Sequence, residues 1–206
     1  NQTKVVSPRG VDTPDDPNDF TSVSVYDPLN RLKEQQEPYD PDDSRYTSAD
    51  KTVYTYDALG SIKTISAPPS QGETTRSETT YTYWDNRWSR ASTDAWNVTS
   101  EYDYDVVGNQ TSRKVTGANG KTRQMNWSFF PDDKPRTQSD DGDGSATARK
   151  NFEFRYDANA NLTTMLDKSG DAKIDTYAMT FDGDDRMRKV EEKLDGTTRN
   201  TSTYEY

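Results

Sequence analysis

A large aromatic residue recurs along this 206-residue chain at intervals of 21 to 30 residues. The eight copies are Tyr26, Tyr56, Tyr83, Tyr104, Phe129, Tyr156, Phe181 and Tyr206. In seven of them another large side chain stands two residues earlier, and these are Tyr54, Tyr81, Tyr102, Trp127, Phe154, Met179 and Tyr204. A spacing of two places both side chains on one face of a β-strand. The pattern therefore predicts a series of strands, each ending at an aromatic anchor.

A turn signature follows most of these anchors. The next residue is Asp in five copies, namely Asp27, Asp57, Asp105, Asp157 and Asp182. The fourth residue after these anchors is Asn30, Gly60, Gly108, Ala160 or Asp185, and Gly, Asn and Asp tolerate a left-handed backbone. The Asp carboxylate can accept hydrogen bonds from the turn backbone. Each copy thus predicts a strand, an Asp-led turn and a second strand, which together form a β-hairpin.

Two copies lack the Asp that leads the turn. Trp84 follows the anchor Tyr83, and Phe130 follows the anchor Phe129. We expect these two hairpins to turn differently from the others and to interrupt the regular pattern.

The composition provides few hydrophobic residues for a conventional core. Hydrophobic residues make up only 29% of the chain and its net charge is −10, a combination that favours disorder unless the 13 Tyr and 4 Trp supply buried area. Polar clusters alternate with the Asp-led turns and predict further turns, at 68–72, 117–120, 140–144, 168–171 and 195–196. We interpret residues 1–19 as an irregular linker or the tail of a preceding repeat. Residues 20–206 are then an array of about seven hairpin repeats with a truncated eighth.

The repeated motif resembles that of a known family. Tyr-x-Tyr-Asp-x-x-Gly-Asn at 102–109 and Tyr-x-Tyr-Asp-x-x-Gly at 54–60 are similar to the YD repeat of bacterial RHS and wall-associated proteins, the shell components of Tc toxins, and teneurins. The resemblance covers about residues 20–206. It implies an all-β fold in which tandem β-hairpins form a spiralling antiparallel sheet, as part of an RHS/YD shell.

The resemblance also implies a function. Such an array is a structural segment of a large secreted or cell-surface bacterial protein, and it contributes to a shell that encloses or presents a C-terminal toxin or effector. The implied partners are the neighbouring YD repeats and an enclosed toxin domain. Many RHS cores end in a self-cleavage segment with Asp-Pro-x-Gly-Leu motifs. The nearest match, Asp27-Pro28-Leu29-Asn30, lacks the Gly, so we expect no self-protease in this segment.

The residue types limit the catalytic chemistry that this chain could perform. The chain has no Cys and no His, so it contains neither a thiol nucleophile nor the commonest general base. A catalytic carboxylate would more naturally occur once, whereas the Asp of the YD motif recurs with its turn. We therefore expect no enzymatic activity and no cofactor. A pI of about 4.6 argues against a nucleic-acid partner, and no apolar run approaches the length needed for membrane insertion.

Two alternatives stay open. Trp88, Trp96 and Trp127 would favour an extracellular glycan- or protein-binding adhesion module if they formed one exposed patch. The cluster 140–144 alternates Asp with Gly, as some Ca²⁺ loops do, but an EF-hand starting at Asp141 would need Glu where Phe152 stands. We expect a solvated hairpin tip there, and a weak Ca²⁺ site of another geometry is the alternative.

Overall fold

The computed structural model describes residues 3–6, 21–38, 50–69, 73–142, 149–170 and 172–206. All regular secondary structure in these ranges is β-strand, which confirms the predicted all-β fold class. The described part of the chain contains no helix with the length and apolarity that a membrane crossing requires. The chain divides into two compact units, residues 1–98 and residues 99–206.

The described residues of the first unit form seven strands, and each pairs antiparallel with the next along the chain. They are β1 (Lys4–Val6), β2 (Thr21–Tyr26), β3 (Leu32–Gln36), β4 (Lys51–Tyr56), β5 (Ile62–Ala67), β6 (Ser77–Tyr83) and β7 (Ser89–Thr93). Strand β1 lies inside the segment 1–19, whereas residues 7–20 are outside the described residues. The boundary near residue 19 and the number of repeats remain predictions.

In the part of the second unit that the structure describes, nine strands follow in the same sequential antiparallel arrangement. They are β8 (Thr99–Tyr104), β9 (Gln110–Thr116), β10 (Thr122–Phe129), β11 (Pro135–Asp140), β12 (Lys150–Tyr156), β13 (Leu162–Asp167), β14 (Thr176–Phe181), β15 (Met187–Leu194) and β16 (Thr197–Thr203). The predicted turns at 117–120 and 195–196 lie where expected. Those at 68–72, 140–144 and 168–171 fall partly outside the described residues.

The residues that the structure describes form no buried hydrophobic core in either unit. Among the described residues no hydrophobic side chain is fully buried, and the buried side chains are those of Thr21, Ser100 and Ser169. The aromatic pairs of β4 and β8 are half-buried on one face of their strands. The apolar area that each strand buries is therefore that of half-buried side chains packed in cross-strand pairs, in keeping with the low hydrophobic content.

A β-bulge lies at the end of every anchor-bearing strand that has a partner after its turn. The register shifts by one residue just before each anchor, between Val25 and Tyr26 and at the corresponding point of the six other hairpins. This is the expected consequence of a hairpin loop in which a type I turn is followed by one left-handed residue. The anchor thus faces the first residue of the next strand, as in the pair Tyr26 and Leu32.

The expectation that the Trp84 and Phe130 hairpins turn differently is wrong. The Trp84 N–H donates to the Trp88 carbonyl oxygen at 2.9 Å, and the Arg87 N–H donates back to the Trp84 oxygen at 2.8 Å. The Phe130 turn makes the same two bonds, at 2.8 and 3.0 Å. The fourth residue of each turn adopts a positive φ, 70° at Arg87 and 63° at Asp133. The backbone geometry therefore depends on this left-handed residue and not on a leading Asp.

Candidate functional site: the row of hairpin turns

Nine turns in the described residues share one backbone geometry. The first residue donates its N–H to the carbonyl oxygen of the fifth, and the fourth donates its N–H back to the first. The fourth residue has a φ between 57° and 105° in all nine. Seven of them directly follow an aromatic anchor, and we call these the YD turns: 27–31, 57–61, 84–88, 105–109, 130–134, 157–161 and 182–186. The other two occupy 94–98 and 117–121.

The leading Asp closes its turn with its carboxylate. Asp27 Oδ1 accepts the N–H groups of Leu29 and Arg31 at 2.9 and 3.0 Å, and its Oδ2 accepts the Arg31 Nε–H at 2.7 Å. Five other turns repeat the two backbone bonds, and their leading residues are Asp57, Asp94, Asp105, Asp157 and Asp182. The carboxylate is therefore committed to holding the turn.

These bonds favour the ionised carboxylate. The Arg186 backbone N–H, with further bonds from the Asp184 N–H and the Arg186 side chain, lowers the pKa of Asp182 to about 2. The Arg31 backbone N–H likewise lowers the pKa of Asp27. At Asp105 burial acts in the opposite direction, but the bonds from Asn109, Val107 and Gly108 outweigh it and the pKa is lowered. Each shift follows from hydrogen bonds that only the folded turn provides.

Turns without a leading Asp obtain their cap from the third residue. Asn86 Oδ1 accepts the Trp88 N–H at 3.1 Å, and Asn119 Oδ1 accepts the Lys121 N–H at 3.0 Å. The Asp132 carboxylate accepts a side-chain and a backbone hydrogen bond from Lys134, and these bonds lower the pKa of Asp132. Because the third residue provides the cap in place of the first, the Trp84 and Phe130 turns keep the common geometry.

Anchor hydroxyl groups connect successive hairpins. The Tyr56 hydroxyl donates to the Leu32 carbonyl oxygen at 2.6 Å, and the Tyr83 hydroxyl donates to the Ile62 carbonyl oxygen at 2.8 Å. In both cases the acceptor is the first residue of the strand that follows the preceding YD turn. Burial raises the pKa of Tyr56 and of Tyr83, so both hydroxyls stay protonated and able to donate.

The fifth residue of a YD turn also reaches the next anchor ring when it is cationic. The Arg31 guanidinium lies 4.4 Å from the centre of the Tyr56 ring, and the Lys134 ammonium lies 5.8 Å from that of Tyr156. Arg186 repeats this contact with Tyr206 at 5.8 Å. Both the ring and the hydroxyl of an anchor can therefore be engaged by the preceding hairpin.

Where the fifth residue is polar and uncharged, it contacts the next turn instead. Asn109 Nδ2 donates to Asp133 Oδ1 at 2.8 Å, and Asn161 Nδ2 donates to Asp185 Oδ1 at 2.7 Å. The acceptor in both pairs is the fourth, left-handed residue of the following YD turn. Sequence reasoning missed this contact, although a repeated Asn and Asp at a separation of 24 residues was available as a signal.

The other predicted repeat anchors lie in the strands that flank these turns, except Tyr204 and Tyr206, which follow the end of β16 at Thr203 and so depart from the predicted strand. Three further anchors face the first residue of the next strand across the bulge. The pairs are Tyr104–Gln110, Phe129–Pro135 and Phe181–Met187. The earlier members of the aromatic pairs face neighbouring strands, in the pairs Tyr54–Ile65, Tyr81–Ser92, Tyr102–Arg113, Trp127–Gln138 and Phe154–Met165. Tyr204 and Tyr206 are exposed. Gly60 and Gly108 are left-handed fourth residues, with φ of 86° and 105°.

Trp88 and Trp96 lie on either side of strand β7 along the chain. Trp88 is half-buried at the start of β7, and Trp96 is 74% exposed in the turn after the end of β7. The five residues of this strand separate them by roughly 16 Å at about 3.3 Å per residue. Trp127 is half-buried within β10. The contiguous patch that would favour an adhesion module is therefore not formed by Trp88 and Trp96.

The acidic cluster at 140–144 is engaged within its own unit as far as it is described. Arg123 forms an ion pair with Asp140, and Asp141 Oδ1 accepts the Gln124 N–H at 2.6 Å. Asp143 and Gly144 lie outside the described residues. Within the ranges that the structure covers, no three acidic side chains are grouped so that they could hold a metal ion.

Solved structures of Tc toxins contain the same arrangement of strands. A crystal structure of TcdB2–TccC3 with Cdc42 matches 89% of this chain with a TM-score of 0.66 and 15% identity. The Tc holotoxin pore of Photorhabdus luminescens matches 97% with a TM-score of 0.67 and 13% identity. The chain has the fold of these Tc toxin proteins. It spans about a tenth of the length of either chain, since the match covers 10% of each.

The YD-repeat architecture predicted from the sequence is thereby confirmed at the level of the fold. No protein-family model matches the chain, and no curated protein matches its sequence. The likeness to the TcdB2–TccC3 structures thus rests on the tandem hairpins themselves, at identities of 13 to 15%.

Proposed function

We propose that this chain is a structural segment of a large secreted or cell-surface YD-repeat protein, in which it forms part of a shell that encloses or presents a C-terminal toxin or effector. The supporting observation is the repeated link between hairpins, in which Tyr56 bonds to Leu32 and Tyr83 bonds to Ile62. A link that recurs with the repeat serves to join repeats. The Tc toxin structures provide a fold of this type in a toxin complex.

In this proposal the aromatic anchors and the leading Asp residues have separate structural roles. The Asp carboxylate holds the turn, and the anchor ring and hydroxyl fix the distance between one hairpin and the next. Repeat proteins depend on such nearest-neighbour contacts because no single repeat buries enough surface to be stable alone. The partners of the chain are accordingly the neighbouring YD repeats and the enclosed toxin domain.

The same contacts favour a scaffold over an enzyme. The carboxylates of the YD turns accept two or three backbone hydrogen bonds each, and a general acid or base would need a carboxyl free to exchange a proton with a substrate. The lowered pKa values of Asp27, Asp105 and Asp182 keep these three carboxylates ionised near neutral pH, which suits a hydrogen-bond acceptor. We assign the chain no catalytic residue and no cofactor.

Protease protection in the parent protein tests the proposal. The coding sequence on both sides of the segment defines the parent protein. The C-terminal domain of that protein is then treated with a protease in two forms, within the whole protein and as an isolated domain. We expect slow cleavage in the whole protein and fast cleavage of the isolated domain. Equal cleavage rates would overturn the enclosing role, and a parent protein confined to the cytoplasmic fraction would overturn the proposed location.

A double variant links the protection to the anchors. Replacing Tyr56 and Tyr83 by Phe removes the two hydroxyl links and keeps both rings, so we expect faster cleavage of the C-terminal domain. The matched control is Tyr54→Phe with Tyr81→Phe, which removes two hydroxyls from the same strands β4 and β6. If both double variants behaved alike, the anchor hydroxyls would have no special role in holding the array closed.

A further inference from the structure

An exposed tryptophan in the first unit has no role in linking the hairpins. Trp96 is the third residue of the turn 94–98, and 74% of it is exposed. Leu29 and Leu59 occupy the same position in their turns and are 72% and 67% exposed. Trp96 also borders a groove. A large aromatic ring that borders a concavity is a feature of small-ligand sites.

The groove lies between this turn and the segment that leads into β6. It has a volume of about 450 Å³, and its walls are residues 73–77 on one side and Ala95 with Trp96 on the other. Sites for small ligands commonly have volumes of about 300–1,000 Å³. We call it the Trp96 groove.

The side chains of the Trp96 groove favour an uncharged ligand rich in hydroxyl groups. Thr74, Thr75 and Ser77 contribute hydroxyls that can both donate and accept hydrogen bonds. Glu73 and Arg76 contribute one charge of each sign, so the groove has no net charge to attract an ion. The indole adds one flat apolar surface. A hexopyranose combines the matching features, since one face of its ring exposes C–H groups and its rim is lined with hydroxyls.

Arg76, the one cation among the described residues that line the groove, is already engaged by the protein. Arg76 Nη2 donates to the Ser66 carbonyl oxygen at 2.7 Å and to the Lys51 carbonyl oxygen, and its Nε donates to the Ser66 hydroxyl at 2.9 Å. These bonds tie the guanidinium to β4 and β5, so it is not directed at an anionic ligand. The groove is therefore better suited to a neutral sugar than to a uronic or sialic acid.

Both walls of the groove are held in place before any ligand arrives. Asp94 Oδ1 accepts the N–H groups of Trp96 and Val98, each at 2.9 Å, which fixes the backbone that carries the indole. Arg76 fixes the opposite wall through its bonds to Ser66 and Lys51. A preformed site loses less entropy on binding, which favours affinity from a small contact area.

We propose that the Trp96 groove binds a neutral hexopyranose glycan that stacks on the indole and hydrogen-bonds to the hydroxyls of the facing wall. This site is additional to the proposed scaffold role and does not depend on an enclosed toxin. Saturation-transfer NMR and calorimetry with chitotetraose, cellotetraose and maltotetraose test it on the whole chain. We expect at least one of the three to bind, and Trp96→Ala to weaken that binding by about tenfold or more, as loss of an aromatic anchor does.

Two variants make the test specific. Trp96→Phe keeps a smaller aromatic face and should retain part of the affinity. Leu59→Ala removes an equally exposed apolar side chain from the same turn position outside the groove, and should leave the affinity unchanged. The inference is overturned if none of the three sugars binds at millimolar concentration, if Trp96→Ala binds as tightly as the original chain, or if tetragalacturonate binds in preference to the neutral sugars.

Discussion

The Tyr56 hydroxyl donates a 2.6 Å hydrogen bond to the carbonyl oxygen of Leu32, and this bond joins two hairpins whose anchors stand 30 residues apart. Tyr83 makes the equivalent bond to Ile62 at 2.8 Å. The two acceptors lie at the start of β3 and β5, immediately after a YD turn. Tyr56 and Tyr83 thus each connect the end of their own strand to the residue that follows the turn of the preceding hairpin.

Removing the Tyr56 hydroxyl should weaken the link without changing the ring. Tyr56→Phe leaves the Leu32 carbonyl oxygen without this donor in a half-buried position, and we expect a loss of about 1–2 kcal/mol in the free energy of unfolding. Urea unfolding followed by circular dichroism measures this change. Tyr54→Phe, on the same strand, is the control, and an equal loss in both variants would show that the Tyr56 bond is not the cause.

Lowering the pH should reduce the free energy of unfolding through the YD turns that begin with Asp. The pKa of Asp182 is lowered to about 2 from its ordinary value of 3.8, so the folded turn binds the ionised form more strongly than the unfolded chain does. The stability that this adds is fully present above about pH 4 and is lost as the pH falls towards 2. The lowered pKa values of Asp27, Asp105 and Asp157 act in the same direction.

Two measurements check this dependence. Carboxyl NMR titration should place the midpoint of Asp182 below that of an unfolded peptide with the same sequence. Asp182→Asn should flatten the dependence of the unfolding free energy on pH between 4 and 2. A midpoint at or above the ordinary value for Asp would contradict the assigned role of the carboxylate.

The hairpin fold was predictable from the sequence because one spacing determines it. Aromatic residues two apart define a strand face, and the Asp with a left-handed fourth residue defines the turn that follows. The contacts between hairpins were not predictable in the same way. The bond from Tyr56 to Leu32 depends on the register between two strands, which neither strand specifies alone.

The failures of sequence reasoning at the turns have a common physical cause. Trp84 and Phe130 predict irregular turns only if the leading Asp is essential, whereas Asn86 and Asp132 supply the cap from the third position. The Asp-led turn at 94–98 was missed because Thr93, and not an aromatic anchor, precedes it. In each case the N–H groups of the turn backbone need a side-chain acceptor, and Asp or Asn can supply it from more than one position.

The cap from the third position gives a direct test at the Trp84 turn. Asn86→Ala removes the acceptor of the Trp88 N–H, and we expect a loss of about 1 kcal/mol in the free energy of unfolding. Asp85→Ala changes the neighbouring exposed residue of the same turn and should stay within about 0.5 kcal/mol of the original chain. Asn86→Asp keeps an acceptor oxygen and should recover most of the stability. A neutral Asn86→Ala would show that Trp84 and Arg87 hold this turn without the cap.

Ala160 occupies a backbone position that disfavours its side chain. It is the fourth residue of the turn 157–161 and has a φ of 73°, where an L-residue with a Cβ is strained by roughly 1–2 kcal/mol. Its side chain is exposed, so Ala160→Gly removes the strain with little loss of packing. Glycine also makes the unfolded chain more flexible, which offsets part of the gain. We therefore expect a net stabilisation of about 0.5–1 kcal/mol in thermal or urea unfolding.

The neighbouring alanine provides the matched control for this change. Ala158 is an exposed residue of the same turn and does not have a positive φ, so Ala158→Gly adds flexibility to the unfolded chain and relieves no strain. We expect Ala158→Gly to destabilise the protein by about 0.5–1 kcal/mol, opposite in sign to Ala160→Gly. If both variants lost stability equally, the left-handed conformation at position 160 would not be strained, and the fourth residue would not determine the turn.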